Sequence, residues 1–247
     1  MAARRAFLDL HCHTSASFDS LASPASVVRS AAARGITHLA ITDHDRIDGA
    51  LEARERAREI EPGVEVLVGE EIRSRDGDLI AVFLDEAIAP GLSAAETIAA
   101  VHERGGLVGI PHPFDGLRGS STMRGGAATD MGALAAAADW VEAWNARVFI
   151  GNGNQRAAEL AVATGVPGVA VSDAHTALEI GIAATVLDGD PSTAAGLRDA
   201  LAGELELIMG RGSAYARLVT PLAKLVQRSR GNRRVAFGPA VPGASRR

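Results

Sequence analysis

Histidines and carboxylates gather in five short segments of the chain, each directly after a short apolar run. Five of the seven histidines lie in or beside these segments: His11, His13, His44, His112 and His175. The segments read Asp-Leu-His-Cys-His at 9–13, Thr-Asp-His-Asp at 42–45, Gly-Glu-Glu at 69–71, Ile-Pro-His-Pro at 110–113 and Ser-Asp-Ala-His at 172–175. Imidazole and carboxylate ligands together suit zinc, manganese or iron, so this pattern predicts a metal site.

The His-x-His spacing fits the end of a β-strand. Because side chains alternate along a strand, His11 and His13 would point the same way and bind one ion. Asp173 and His175 repeat this i, i+2 spacing. Cys12 would then point to the opposite face, and we interpret it as a small buried residue rather than a ligand.

These segments can meet only in a fold whose strands end on one face. Short apolar runs alternate with alanine-rich helical segments along the chain. The predicted strands cover 6–10, 38–42, 64–68, 79–84, 107–110, 140–144, 168–171 and 182–187. The predicted helices lie within 23–35, 48–59, 93–105, 131–138, 154–164 and 192–202. About seven or eight βα units indicate an α/β barrel with its active site at the C-terminal ends of the strands. The alternative, an open doubly wound sheet, lacks the usual glycine signatures here.

The chain divides into two parts at about residue 213. Residues 1–213 are predicted to form a catalytic barrel, with a mobile loop at 115–129 that is rich in glycine, serine and arginine. Residues 214–247 are predicted to form a C-terminal helix, at about 213–228, and a basic tail that is disordered from Gly231 onward.

As a set, the motifs resemble the PHP (polymerase and histidinol phosphatase) family. The resemblance rests on His-x-His, Asp19 six residues after His13, Thr-Asp-His-Asp, Gly-x-Glu, Pro-His-Pro and Asp-Ala-His. It covers about residues 6–213. It implies a distorted TIM-like (β/α)7 barrel with two or three divalent ions, and hydrolysis of phosphate esters by the stand-alone members.

The resemblance also assigns each ligand by its position in a motif. The first ion would be bound by His11, His13, Glu71 and Asp173. Glu71 would bridge to a second ion, which His112 would also bind. A third ion would be bound by Asp19, His44 and His175.

One position departs from the family's pattern. Family members commonly place a histidine on the second ion at the start of the strand after the glutamate. Here that position is Asp78, in Asp-Gly-Asp-Leu at 76–79. Asp78 could bind the ion and change its identity or occupancy, or it could be a turn residue after Gly77.

Two further carboxylates flank His44. With neighbouring ions about 3.5–4 Å apart, the expected attacking group is a metal-activated hydroxide, and no covalent protein nucleophile is needed. Asp43 and Asp45 would orient ligands or relay a proton as catalytic residues. The alternative for both is to cap the turn before the next helix.

A phosphate ester also needs hydrogen-bond donors from the protein. Arg118 and Arg124 follow the Pro-His-Pro motif, where an arginine could bind phosphate bidentately. Asn145 and Arg147 follow a predicted strand in Glu-Ala-Trp-Asn-Ala-Arg at 142–147. We predict that at least one of the three arginines binds substrate. The alternative for each is an ordinary solvated side chain.

The combined motifs predict a metal-dependent phosphoesterase that acts on a small phosphorylated metabolite, such as a nucleotide or nucleoside bisphosphate. The alternatives are a 5′-directed exonuclease on short RNA or DNA, a non-catalytic metal-binding scaffold, and a metal-dependent amidohydrolase. Aromatic residues make up only 4% of the chain, so no stacking platform for single-stranded nucleic acid is visible.

The net charge of −5 hides an uneven distribution. Residues 211–247 contain nine basic side chains and no Asp or Glu, which leaves 16 basic and 30 acidic side chains in residues 1–210. An acidic body argues against a uniformly basic nucleic-acid-binding domain. The basic tail leaves contact with nucleic acid open, although a solubilising end is favoured.

Composition bounds the class of protein. Apolar side chains make up 47% of 247 residues, enough for the core of one large domain or two small ones. No apolar run approaches the roughly 20 residues of a membrane-spanning helix. The first residues lack the pattern of a secretory signal, and the single cysteine excludes internal disulfides. We expect a cytoplasmic protein that does not bind membranes.

Overall fold

The computed structural model describes residues 5–115 and 130–235, apart from the side chains of 214–217. Strands and helices alternate along these residues. The strands are β1 (Arg5–Asp9), β2 (His38–Ile41), β3 (Glu65–Arg73), β4 (Asp78–Val82), β5 (Leu107–Ile110), β6 (Trp140–Asn145), β7 (Gly168–Val171), β8 (Ala183–Asp188) and β9 (Leu205–Met209). The helices are α1 (Pro24–Ala33), α2 (Asp48–Ile60), α3 (Ala94–Glu103), α4 (Met131–Ala137), α5 (Gly153–Thr164), α6 (Ala194–Leu201) and α7 (Ala214–Ser229).

The strands form one sheet in the order β7-β6-β5-β4-β3-β2-β1-β8-β9. The sheet curls until its two ends approach each other. On β8, the Thr185 hydroxyl accepts a hydrogen bond from the amide of Ala170 on β7 at 2.9 Å. On β6, the Trp144 indole donates to the Gly210 carbonyl, just after β9, at 2.8 Å. The result is a nearly closed barrel, which confirms the predicted α/β barrel class.

The alternation of strands and helices predicts a largely parallel sheet, but the strands of the barrel are both parallel and antiparallel. The pairs β1–β2, β2–β3, β5–β6 and β6–β7 are parallel, whereas β1–β8, β3–β4, β4–β5 and β8–β9 are antiparallel. Only residues 74–77 join β3 to β4, which is too short for a parallel crossover and produces a hairpin. The sequence pattern does not predict β9, because its pairing depends on how α6 returns the chain to β8.

Alternate strand residues face two separate cores. Leu8, Ile80 and Trp140 pack inside the barrel, and residues such as Leu39 pack between the sheet and the helices. A Cβ atom on Gly109 would lie 2.1 Å from the Trp140 ring, so only glycine lets this indole fill the interior. The remaining interior space opens at the strand ends that carry the histidines.

The C-terminal segment, residues 214–235, packs against a loop that follows β1. The Gln227 side chain is buried, and the two N–H groups of its amide nitrogen are shared among three carbonyls, those of Ser15 at 2.6 Å, Ser17 at 3.0 Å and Ser20 at 2.7 Å. The Asn232 amide donates to the Ala16 carbonyl at 2.8 Å. These hydrogen bonds tie the C-terminal segment to the loop that carries Asp19.

Residues 116–129 and 236–247 lie outside the described residues. The predicted mobile loop falls there except for its first residue, and so does the end of the predicted basic tail. Within the described residues, no helix combines the length and the apolar character needed to cross a bilayer.

Candidate metal centre

The predicted ligands converge at one end of the barrel. Backbone bridges continue beyond the strands and hold the ends together: Cys12 pairs with Ala174, and His44 pairs with Glu71. As the alternation predicts, the Cys12 thiol is buried and points elsewhere, donating to the Ala40 carbonyl at 3.0 Å. The neighbouring histidines therefore face the barrel opening together.

One group of ligand atoms surrounds the His-x-His pair. The Nε2 atoms of His11 and His13 lie 3.0 Å apart. Glu71 Oε2 lies 3.4 Å from each of them, and Asp173 Oδ1 lies 3.7 Å from each. Ligand atoms about 2.0–2.2 Å from a tetrahedral ion stand about 3.3–3.6 Å apart, so the spacing of His11, His13 and Asp173 is close to what one divalent ion requires, and Glu71 lies beside both histidines.

A second group lies beside the first. Asp19 Oδ2 is 3.2 Å from His175 Nε2 and 3.5 Å from His44 Nε2. Ligand atoms of these three residues and of His13 all lie within 4.8 Å of one another. This spacing also suits a divalent ion, with His13 between the two groups.

Glu71 faces both groups and a further histidine. Its Oε2 atom lies 3.3 Å from His44 Nδ1, and its Oε1 atom lies 3.5 Å from His112 Nε2. The Nδ1 atom of His112 is buried without a hydrogen-bond partner. The two oxygens of Glu71 therefore point toward different imidazoles, an arrangement that a bridging carboxylate requires.

Asp78 is engaged by a cation of the protein itself. Its Oδ2 atom forms an ion pair with Nη2 of Arg234, from the C-terminal segment. The carboxylate is buried, and its second oxygen has no hydrogen-bond partner. The Asp78 carboxylate thus forms a buried ion pair beside the predicted ligands.

Glu142 contacts the ring of His11 and the backbone of His112, a role that the sequence analysis does not predict. Its Oε1 atom lies 2.6 Å from His11 Nδ1, and its Oε2 atom accepts from the His112 amide at 2.9 Å. Oε2 also accepts from the Asn145 side chain at 2.8 Å. The available signal was the one carboxylate of strand β6, whose sequence is Trp-Val-Glu-Ala-Trp-Asn. Such partners fix the orientation of metal-binding histidines.

Asn145 and Arg147, predicted to bind substrate, both have hydrogen-bond partners within the protein. Asn145 is fully buried, and its amide donates to Asp173 Oδ2 at 3.0 Å, a contact that orients this predicted ligand. Arg147 is largely buried and donates to the Thr220 hydroxyl at 2.9 Å. Its other guanidinium nitrogen lies 3.9 Å from Glu179. Arg147 therefore links α7 to the loop after His175.

Arg118 and Arg124, also predicted to bind substrate, lie outside the described residues.

The two predicted catalytic aspartates also bond away from the ligand groups. Both carboxylate oxygens of Asp43 accept from Thr14, from its amide at 2.7 Å and from its hydroxyl at 2.6 Å. Asp45 accepts from the Arg73 amide at 2.7 Å. Burial raises the pKa of Asp43 to about 6, against the lowering effect of the Thr14 hydrogen bonds. Both aspartates thus join the ends of neighbouring strands, and neither caps α2, whose N-cap residue Ile47 has no side-chain cap hydrogen bond.

Electrostatics favour ionised carboxylates and a neutral His13, whereas, against the effect of burial, nearby carboxylates raise the pKa of His44 to about 9 and the pKa of His11 well above its usual value. Burial opposes charge on Asp19 and Glu71, yet neighbouring imidazoles, His44 among them, hold the pKa of both carboxyls well below the usual range. Burial and the adjacent imidazoles of His175 and His44 push the pKa of His13 well below its usual value. Ionised carboxylates and neutral imidazoles are the forms that coordinate an ion.

Three residues of the site have a left-handed backbone. The φ angles are 55° at Asp45, 29° at His112 and 50° at Asp173. Such conformations are unfavourable for residues other than glycine and concentrate at functional sites. They turn the chain sharply beyond the ends of β2, β5 and β7.

The ligand groups line a cavity of about 230 Å³. Six of the predicted ligands line this cavity, and together with His11 and His13, which do not line it, we call them the cavity floor: His11, His13, Asp19, His44, Glu71, His112, Asp173 and His175. We call its more exposed lining residues the cavity rim: Phe18, Lys224 and Arg234. Apart from Asp19, which lies on the loop after β1, the floor residues lie at or just beyond strand ends, whereas two of the three rim residues come from the C-terminal segment.

Comparison with known proteins identifies related chains. The family model described as PHP domain matches residues 9–143, and the model described as PHP-associated matches residues 151–204. An uncharacterized protein of Methanocaldococcus jannaschii is 40% identical over 116 residues, which are 43% of this chain and 67% of that protein. A 5′-3′ exoribonuclease of Haemophilus influenzae is 32% identical over 122 residues, which are 44% of this chain and 43% of that enzyme.

A solved structure supports the fold. A two-domain protein from Bacteroides vulgatus, described as containing a predicted PHP-like metal-dependent phosphoesterase, matches with a TM-score of 0.69 and 17% identity. The match covers 84% of this chain and 66% of that one. The PHP domain model spans more than half of the chain and includes the strand ends that carry His11, His44 and Glu71. The chain therefore belongs to the PHP domain family, whose members are metal-dependent phosphoesterases.

Proposed function

We propose that this protein hydrolyses a phosphate ester of a small phosphorylated metabolite, a nucleotide or nucleoside bisphosphate. The observation that carries the proposal is the cavity floor, where two groups of ligand atoms share His13 and face Glu71. The cavity of about 230 Å³ is smaller than the roughly 300–1,000 Å³ of most ligand pockets. It suits a phosphate and part of its ester group.

In this proposal the floor binds two or three divalent ions. The first ion is held by His11, His13, Glu71 and Asp173. The second is held by Glu71 and His112, and the third by Asp19, His44 and His175. Nitrogen and oxygen ligands without a thiolate suit manganese, zinc or iron. When bound, such ions lower the pKa of water and neutralise charge on phosphoryl oxygens.

Neighbouring side chains aim the ligand atoms. Glu142 accepts from His11 Nδ1, which leaves the Nε2 lone pair facing His13 and Glu71. Asn145 binds Asp173 Oδ2, which leaves Oδ1 facing the two histidines. His175 donates from Nδ1 to the Asp173 carbonyl at 2.9 Å, so its Nε2 faces Asp19. These contacts set the geometry of the site in advance of binding.

Metal analysis followed by a substrate screen tests the proposal. The screen measures phosphate release from nucleoside mono- and bisphosphates, sugar phosphates and short oligonucleotides, with amide substrates alongside. We expect bound divalent metal and release from small esters. Metal-loaded protein that releases phosphate from none of them would contradict the proposal, and turnover of amides alone would favour an amidohydrolase.

A second candidate function is a 5′-directed exonuclease on short RNA or DNA. The similarity to the Haemophilus influenzae exoribonuclease favours it, although the match covers 43% of that enzyme. The nine basic residues at 211–247 would add salt-dependent affinity for a phosphate backbone. Release of mononucleotides from the 5′ end of a short RNA, faster than phosphate from any small ester, would support this candidate.

A further inference from the structure

We propose that Arg234 and Lys224 bind the phosphate group of the substrate, and that Asp78 is the positioning residue that holds Arg234 in place. The inference rests on the proposed phosphoesterase function and extends it to residues outside both matched family regions, which end at residue 204. It assigns the rim a ligand class, a phosphate monoester or a terminal phosphate.

The charges around the cavity support this assignment. Its described lining carries four carboxylates, from Asp19, Glu71, Asp78 and Asp173. Lys224 and Arg234 are the lysine and arginine side chains of that described lining. A phosphate bound in this cavity would therefore find these two cations among the described residues around it.

The Arg234 guanidinium has N–H groups that its ion pair with Asp78 does not use. One of its nitrogens, Nη2, is paired with Asp78, while Nε is buried without a hydrogen-bond partner. A guanidinium carries five N–H groups in a planar fork, which matches phosphate oxygens bidentately. Its side chain is 24% exposed, so the group is held by the protein and still open to the cavity.

Phe18 brings the two cations together next to the floor. Its ring centroid lies 4.7 Å from that of His44. Lys224 Nζ lies 5.5 Å from the Phe18 centroid, and Arg234 Cζ lies 5.8 Å from it. Cations within about 6 Å of an aromatic ring are attracted to its face. One ring therefore contacts a proposed ligand and both rim cations.

The chain between the two cations is anchored to the barrel. Gln227 and Asn232 lie between Lys224 and Arg234, and both bond to carbonyls of the 15–20 loop. Arg73, at the end of β3, also donates to the Val235 carbonyl. Hydrogen bonds with the barrel therefore hold the segment that carries the two rim cations in place.

The test compares full-length Arg234→Ala, Arg234→Lys, Lys224→Ala and Asp78→Asn with the wild type, with Arg233→Ala as the matched control. Arg233 is an adjacent, exposed arginine outside the cavity. Calorimetry measures binding of inorganic phosphate to the metal-loaded proteins, elemental analysis measures bound metal, and kinetics with the best ester of the screen give KM and kcat.

We expect Arg234→Ala to weaken phosphate binding about 10- to 100-fold, the range for a lost charged hydrogen bond, and to raise KM with unchanged metal content. Arg234→Lys should be intermediate, because lysine keeps the charge without the fork. Lys224→Ala should cost several-fold, and Arg233→Ala less than twofold. Asp78→Asn should weaken phosphate binding and keep the full metal content.

Three outcomes would overturn the inference. One is wild-type phosphate affinity in Arg234→Ala and Lys224→Ala. Another is equal losses in Arg233→Ala, which would indicate general charge attraction. The third is loss of one metal equivalent in Asp78→Asn, which would make Asp78 a ligand. If the wild type hydrolyses no ester, the proposed function fails, while the binding comparison still decides the role of Arg234.

Discussion

The floor and the rim of the cavity are built by different parts of the chain and held by different forces. Most floor residues are buried at strand ends, where backbone bridges and Glu142 hold them. Rim cations come from the C-terminal segment, whose helix α7 also exposes Leu218, Leu222 and Leu225. The buried floor suits metal binding. The rim lies at the edge of the cavity, so substitutions there could change which ligand is bound without disturbing the barrel.

Single alanine substitutions of floor residues should give the largest effects on metal content and activity. His11→Ala or Asp173→Ala removes a proposed ligand of the first ion, so we expect loss of bound metal and a fall in kcat/KM of about a thousandfold or more. Elemental analysis and steady-state kinetics measure both. His102→Ala is the control, because His102 is exposed and bonds Asp139 on the surface. Full activity in His11→Ala would show that the floor takes no part in catalysis.

Glu142→Gln tests whether support from behind the floor matters. The amide keeps the shape but weakens the contact with His11, so metal affinity or activity should fall about 10- to 100-fold. Titration of metal into chelator-treated protein gives the affinity. The exposed Glu103→Gln should match the wild type. Unchanged metal affinity in Glu142→Gln would show that the barrel orients the ligand side chains without the Glu142 carboxylate.

Gln227→Leu tests whether the C-terminal segment, which carries the rim cations, can be loosened while the floor keeps its first ion. Leucine is similar in size but has no donors, so three loop carbonyls near Asp19 lose their partner. We expect a stability loss of about 1–3 kcal/mol and reduced occupancy of the third ion, with the first ion retained. Denaturant unfolding and elemental analysis measure the two effects. Exposed Gln155→Leu is the control, and loss of all metal at once would mean that floor and rim act as one unit.

Arg147→Ala should have the smallest effect on function. Arg147 bonds Thr220 and faces Glu179, so we expect KM within twofold of the wild type and a stability loss of about 1 kcal/mol. Thermal unfolding and kinetics check both. A tenfold rise in KM at unchanged stability would return Arg147 to the substrate-binding role that its sequence position suggests.

The floor could be predicted because its pattern is local. His-x-His and Asp-x-His place two side chains on one face of a strand end, and βα alternation brings such ends together. Glu142 could not be recognised in this way, since one carboxylate in an apolar strand has no partner nearby in the sequence. Its partners, His11 and His112, lie more than 25 residues away.

The rim escaped prediction for a different reason. Residues 214–235 read as a helix and a basic tail, and nothing local indicates that the segment folds back over the barrel. That return depends on contacts such as Gln227 with Ser20, which join residues 207 positions apart. Arg234 is therefore recognisable as a cavity residue only once the tertiary structure is known.

The left-handed backbone at Asp45, His112 and Asp173 bears on how this protein can be engineered. Each such residue costs stability that a glycine or a relaxed turn would not, typically about 1 kcal/mol or more. Selection for heat resistance alone therefore favours replacing these residues, and two of the three are proposed ligands. A library screened only for survival at high temperature should erode the site here first, whereas one screened for turnover should keep all three.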